Sequence, residues 1–247
     1  MIVRIAALAL VLAFVPDERD DLLAAAKKAA EAKSYSFRGE TKLRLPEGLA
    51  KSGGADPVRF EGKVERETGA WVKTDAHEFI MAGGKTASRP VPEWRAVKDD
   101  DGDDVQRLLY QALAGVRSPR PPHEDFASWP RAVAAARRTD AKEKIGDRDC
   151  RVYEAEFTPE ASRDLLRSLF PIGKWLDRLP IDKPTAAARA WIDADNRILK
   201  LETTANVPVS LQGADSVLTA TRTILFTDHD ATKVQIPDEA RKILGSK

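Results

Sequence analysis

The chain has 247 residues, 43% hydrophobic and 32% charged, with forty basic side chains against thirty-nine acidic ones. That balance leaves no global field to draw in nucleic acid or an anionic lipid surface, and the apolar content excludes a disordered polymer. Cys150 stands alone, which excludes an internal disulfide; an unpaired cysteine of this kind reads as a small buried apolar residue.

The amino terminus carries one charge, Arg4, ahead of an apolar run from Ile5 to Val15; Pro16 to Asp21 then turns polar. Such a run falls short of the ~20 residues that a helix needs to cross a bilayer core. It reads as a secretory signal cleaved after Ala13, with a buried helix or an uncleaved anchor as the alternative. Residues 1–13 are then the signal and 14–247 the mature chain, formally neutral once Arg4 is removed. No cysteine near the cut could take a lipid, and no later stretch is long enough to span a membrane. The expected location is periplasmic or secreted.

Asp20-Asp21 opens a helix over Leu22 to Lys33, with Leu22, Leu23, Ala26, Ala29 and Ala30 on one shallow face. A strand follows, with Tyr35, Phe37, Gly39, Thr41, Leu43 and Leu45 pointing one way and Ser36, Arg38, Glu40, Lys42 and Arg44 the other. A period of two means a strand with one wet face. After a loop from Pro46 to Pro57, Val58, Phe60, Gly62 and Val64 repeat the alternation. Ala70 to Thr74, which includes Trp71, and a hairpin through Phe79, Gly83-Gly84 and Ser88 complete a meander.

Helical spacing then takes over. Val105, Leu108, Leu109, Ala112, Leu113 and Val116 follow an acidic start, Asp99 to Asp104, suited to a helix dipole. His123 to Arg138 reads as a second helix, interrupted at Trp129-Pro130. Strands resume at Lys142 to Ile145 and through Tyr153, Ala155 and Phe157. A helix starts at Thr158-Pro159-Glu160 and continues past Leu169, with Trp175, Leu176 and Leu179 after Pro171. The strands Ala187 to Asp193, Leu199 to Val207 and Ser216 to Thr227 precede a short helix, Pro237 to Leu244. Strands on both sides of the helical middle can join one sheet, so 14–247 is expected to be a single domain; the alternative is two units, 14–100 and 139–247.

Chemistry-bearing motifs are scarce. With Gly102 at position 6 of a calcium loop, Val97 and Leu108 would occupy ligand positions 1 and 12, so the acidic run does not fit. Thr227-Asp228-His229-Asp230 could offer metal ligands, but His77 and His123 stand outside ligand spacing, and turn chemistry explains the same residues. There is no Gly-x-Ser-x-Gly, no His-Glu-x-x-His and no phosphate-binding loop. The chain is therefore expected to have no catalytic residues, no metal and no cofactor. The aromatic strand residues are ordinary core one by one; together they can line an apolar hollow between a curved sheet and its helices. The candidate lining is Tyr35, Phe37, Leu43, Phe60, Val64, Trp71, Phe79 and Arg222. Arg222 shares a face with Leu218, Ala220, Ile224 and Phe226. It either reaches a lid or ligand headgroup or snorkels at a rim.

The order of elements resembles the LolA-like group, the periplasmic lipoprotein carriers and their lipid-carrying relatives. The resemblance rests on the alanine-rich helix running into Ser34-Tyr35-Ser36-Phe37-Arg38-Gly39-Glu40-Thr41 and on the glycine turn and strand Ile145 to Tyr153. It also rests on the hairpin Ala190 to Arg197 with Leu199 to Glu202, and on the closing Phe226-Thr227-Asp228 and Ile236 to Ala240. It implies an α+β fold: a strongly curved antiparallel sheet, an incomplete and half-open β-barrel, with helices covering the concave face. It further implies a non-enzymatic carrier of a hydrophobic small molecule or lipid, such as an acyl chain, in envelope lipid or lipoprotein traffic. The alternative is an envelope module with a packed core, whose partner is another envelope protein.

Overall fold

A computed structural model describes residues 18–44, 57–75, 77–89, 95–96, 120–169, 184–211 and 214–245. The signal segment 1–13, the acidic run with its following helix, and Trp175 to Leu179 lie outside the described residues. The amino-terminal meander consists of β1 (Ser34–Arg44), β2 (Val58–Glu65), β3 (Gly69–Thr74), β4 (Glu78–Ala82), β5 (Lys85–Arg89) and β6 (Arg95–Ala96). The second half supplies β7 (Val133–Ile145), β8 (Arg148–Phe157), β9 (Thr185–Ile192), β10 (Ile198–Leu211) and β11 (Ala214–Thr227). All eleven belong to one sheet, ordered β6-β5-β4-β3-β2-β1-β11-β10-β9-β8-β7. Each neighbouring pair is antiparallel, and the sheet is curved and open, with β6 and β7 at its edges. The halves meet where β1 pairs with β11, from Ser36 opposite Thr227 to Arg44 opposite Thr219.

The alternation read from the sequence becomes two faces. On the inner face Tyr35, Phe37, Val64, Val72 and Phe79 are buried in the main core, where they meet Tyr153, Ala155, Ala190, Leu201, Ile224 and Phe226 from the other half. Two glycines let the strands approach under large rings. Phe37 lies opposite Gly62, and Phe60 opposite Gly39. A Cβ on Gly62 would sit 2.4 Å from Phe37 Cζ, and one on Gly39 would sit 2.8 Å from Phe60 Cζ. The sequence thus alternates ring and no side chain, so that neither strand is pushed off its partner.

The helices are α1 (Glu18–Glu31), α2 (Pro122–Ala132), α3 (Pro159–Leu169) and α4 (Asp238–Leu244). Acids at Glu18, Asp20 and Asp21 favour the positive end of α1, whose Leu22, Ala25 and Ala26 are buried on the inner face. α1 is also pinned to the β7 edge by side chains that imitate a strand. The Glu18 carboxylate accepts the Arg138 backbone N–H at 3.0 Å, and the Arg19 guanidinium donates to the Val133 carbonyl at 3.2 Å. Tyr153 donates its hydroxyl proton to Asp21 at 3.0 Å. α2 buries Phe126 and Trp129 in the same core, while α3 lies against β8 to β11. α4 packs on the opposite face, where Ala240 and Leu244 meet Ile80 and Ala87. The open curved sheet with helices on its inner face is the architecture that the LolA-like resemblance implies.

One segment differs from the sequence reading. The helix expected over His123 to Arg138 ends at Ala132, and Val133 to Arg138 run as strand opposite Tyr153 to Phe157. Pro130 removes a helix hydrogen bond just before that point. A free row of β8 ladder groups then outweighs the helix preference of Ala134-Ala135-Ala136-Arg137-Arg138.

Candidate functional site

The sheet register decides which expected lining residues share a face. Tyr35, Phe37, Val64 and Phe79 are 4% exposed or less and belong to the inner core, with Phe60 partly buried against it. Leu43 is buried on the same side of β1, opposite Ala220. Trp71 stands apart from them. It lies opposite Lys63 and Ile80, packs with Ile80 and Ala87 on the outer face near α4, and donates its indole N–H to Glu78 at 2.6 Å. Its neighbour Val72 takes the inward position instead.

α2 is fastened to this face by a reciprocal pair. The Tyr35 hydroxyl donates to His123 Nδ1 at 2.8 Å and accepts the His123 backbone N–H at 3.0 Å. Burial raises the tyrosine pKa well above its usual value, and burial with nearby Arg66 lowers His123 to about 4. The imidazole is therefore neutral at pH 7 and can act as the acceptor. Tyr35 also packs edge-on against Phe226, which meets Phe126 of α2, so hydroxyl and ring hold the same cover.

Arg222 does not snorkel at a rim. It is 8% exposed, opposite Thr41 on one side and Thr203 on the other, inside the inner face. Its Nε donates to Thr41 Oγ1 at 3.4 Å, and its guanidinium lies 5.9 Å from the Phe60 ring centre. Burial pulls its pKa down, and the Asp125 carboxylate on α2 opposes that fall. Asp125 is itself pushed up by burial and held down by Arg222 and Arg120.

Between α2 and α3 lies a cleft of about 930 Å³. Trp129, Ala132, Phe157, Ala161 and Leu165 supply its apolar wall, and the Trp129 and Phe157 rings meet edge-on at 5.6 Å. Asp125 lines the same cleft, with Arg120, Glu124, Arg131, Glu160 and Asp164. Sequence reading missed Trp129, Asp125 and Phe157 as a group because they lie on two separate elements; only the amphipathic pattern of each element was visible.

Among the described residues, no cluster of three His, Cys, Asp or Glu side chains could hold a metal ion. Thr227 ends β11, and Asp228 to Ala231 form a turn, with Asp228 and Asp230 at positive φ and the Ala231 N–H bonded to the Asp228 carbonyl. Cys150 is buried, and burial pushes its thiol pKa up, the opposite of what a thiolate nucleophile needs. No helix of the described residues is long and apolar enough to cross a membrane.

No protein-family model matches the chain, and no curated protein matches it in sequence. Solved structures do. LprF from Mycobacterium bovis is 10% identical with a TM-score of 0.47, the match covering 90% of this chain and 97% of that one. A DUF1329 family protein from Desulfovibrio piger is 9% identical with a TM-score of 0.30, over 92% and 98% of the two chains. A structure described as lipid-protein interactions in lipovitellin is 8% identical, with a TM-score of 0.29, over 83% of this chain and 26% of that one.

Proposed function

We propose that the chain is an exported, non-enzymatic binding protein that shelters an acyl chain or similar hydrophobic ligand against the inner face of its half-barrel, in the periplasm or outside the cell. Residues 14–247 act as one domain in this reading, and 1–13 are removed on export. The observation that carries it is the cleft of about 930 Å³ between α2 and α3, walled by Trp129, Phe157 and Leu165. Its size lies at the upper end of the usual ~300–1,000 Å³ range of ligand pockets, and Arg120, Glu124, Asp125, Arg131, Glu160 and Asp164 line it beside the apolar residues. Tyr35 and Phe37 belong to the core against which α2 packs, and the neutral His123 holds that helix in place.

A second reading also has an observation behind it. Much of the inner face is filled, with Leu22, Ala25 and Ala26 of α1, Val72 of β3 and Phe79 of β4 all at 0% exposure, as in a packed envelope module that binds another protein. The two separate on one preparation. Organic extracts of the natively purified protein, analysed by mass spectrometry, are expected to contain a stoichiometric lipid, and the lipid-free protein to take up N-phenyl-1-naphthylamine. Repeated absence of lipid with no probe uptake would refute the carrier reading; a stoichiometric protein partner beside that result favours the module.

A further inference from the structure

A further cavity, of about 360 Å³, lies where the end of α1, the turn between β9 and β10 and the turn after β11 meet. Hydrogen bonds tie these three segments together. Lys28 on α1 donates to the Asp195 carbonyl at 2.6 Å, and the Asp230 N–H donates to the carbonyl of Ser34, just past α1, at 2.8 Å. The Asp193 carboxylate accepts the Arg197 backbone N–H at 2.8 Å and so fixes the entry to β10. Lys27, Lys28, Lys33, Arg197 and His229 all line the cavity, beside the apolar Ala29 and Ile198. Its acids are Glu31, 4.0 Å from Lys27, and Asp230. Among the described residues, the Lys33 ammonium and the Arg197 guanidinium make no hydrogen bond or ion pair. His229 Nε2 is buried there without a hydrogen-bond partner. Cations that the fold does not use, beside an unsatisfied buried nitrogen, call for a group that completes the bonding.

We infer that this cavity binds a phosphate monoester group, with Arg197 and Lys33 gripping its oxygens and His229 Nε2 donating to it. The four cations exceed the two acids by two charges, and the carbonyl end of α1 offsets about half a charge of that excess. A phosphate monoester brings about −1.5 to −2 at pH 7, which matches what is left. A carboxylate, with a single charge, leaves part of it unanswered. Arginine supplies a fork for two oxygens and lysine a compact point charge, and an imidazole presents Nε2–H in one neutral tautomer and in the protonated ring. Burial, then Arg197, keep the His229 pKa low, with Arg148 acting the same way and Asp230 and Asp193 opposing. A bound dianion joins the opposing side, so it raises that pKa. The cavity shares no lining residue with the cleft between α2 and α3, so the site stands whether or not that cleft holds an acyl chain. A soluble ester and a phosphomonoester lipid headgroup present the same chemistry to it.

The test follows the histidine ring signals of the purified protein by NMR as glycerol 3-phosphate or acetate is added at pH 7. Glycerol 3-phosphate is expected to bind about tenfold more tightly than acetate, as added charge-assisted hydrogen bonds imply. A pH titration with and without it should show the His229 pKa raised by about one unit, the signal being the one missing from His229→Gln. Lys33→Gln and Arg197→Gln should each weaken glycerol 3-phosphate several-fold at unchanged melting temperature, because neither head group is bonded within the fold. Lys63→Gln, which removes an exposed cation of β2 outside the cavity, should change neither. Phosphatidylcholine vesicles with and without phosphatidic acid separate the sources. Sedimentation with phosphatidic acid that glycerol 3-phosphate reverses assigns a lipid headgroup; binding of the soluble ester alone assigns a free one. Equal affinity for acetate overturns the inference, as does a His229 pKa that glycerol 3-phosphate leaves unmoved. Binding that survives Lys33→Gln and Arg197→Gln, or that falls equally in Lys63→Gln, overturns it as well.

Discussion

Replacing Gly39 by alanine tests the account of how the two halves of the sheet come together. A Cβ at that position would sit 2.1 Å from the Thr223 carbonyl oxygen and 2.8 Å from Phe60 Cζ, whereas carbon contacts are comfortable at ~3.5–4.0 Å. The first obstacle is backbone of β11, so relief requires β1 and β11 to separate or shift, not one side chain to turn. Overpacking of this kind costs about 1–3 kcal/mol, and the stiffer unfolded chain returns ~0.4–1 kcal/mol. Gly39→Ala is therefore expected to lose about 1–2 kcal/mol, read as a lower urea midpoint at unchanged slope by far-ultraviolet circular dichroism. Gly62→Ala differs because its nearest neighbour is the Phe37 ring, at 2.4 Å from Cζ, with the Trp71 carbonyl at 2.7 Å. Leucine at position 37 has no atom where Cζ stands. Gly62→Ala with Phe37→Leu should then cost less than the two single changes added together. A Gly39→Ala protein unfolding at or above the wild-type midpoint would refute the close approach of β1 and β11 described above.

Tyr35→Phe removes the group that both donates to His123 Nδ1 and accepts its backbone N–H. A destabilisation of about 1–3 kcal/mol is expected from the groups left unpaired, with faster amide exchange in α2 than in α1; equal exchange in the two helices would contradict the fastening role. Glu65 accepts hydrogen bonds from Lys233 at 2.6 Å and from the Val234 N–H at 3.0 Å, which lower its pKa from 4.5 to about 2. A depressed carboxylate pKa means that the unfolded chain binds the proton more readily, so this contribution is full above pH 4.5 and lost as pH falls toward 2. The melting temperature of Glu65→Gln should consequently vary less than that of the wild type across that window; parallel profiles would exclude the linkage.

Much of the fold was legible because most of its sheet has one buried face. Tyr35 to Leu43 and Phe60 to Val64 alternate cleanly, and a period of two can satisfy only a strand with a core on one side. The acids before Leu22 and the small residues along that helix announced α1 equally well. Trp71 and Val72 show where one-dimensional reading stops. Adjacent strand residues face opposite ways, and both are apolar because α4 covers the outer face there, a fact carried by residues 238–244. Val133 to Arg138 has helix-forming composition and becomes strand because β8 needs a partner. The cleft was beyond reach for a similar reason, since Trp129 and Phe157 come from different elements and meet only through packing.

The pairing of β1 with β11 joins residues about 180–190 positions apart, as in Ser36 with Thr227 and Thr41 with Arg222. A nascent chain cannot make this seam until its last strand has been synthesised, so loop closure delays the central pairing and makes maturation of the sheet slow. Until then the amino-terminal meander presents β1 as a bare hydrogen-bonding edge beside Tyr35 and Phe37, an invitation to intermolecular strand exchange. A carboxy-terminal truncation ahead of β11 would thus do more than shorten the protein: it would turn the middle of the sheet into two sticky borders.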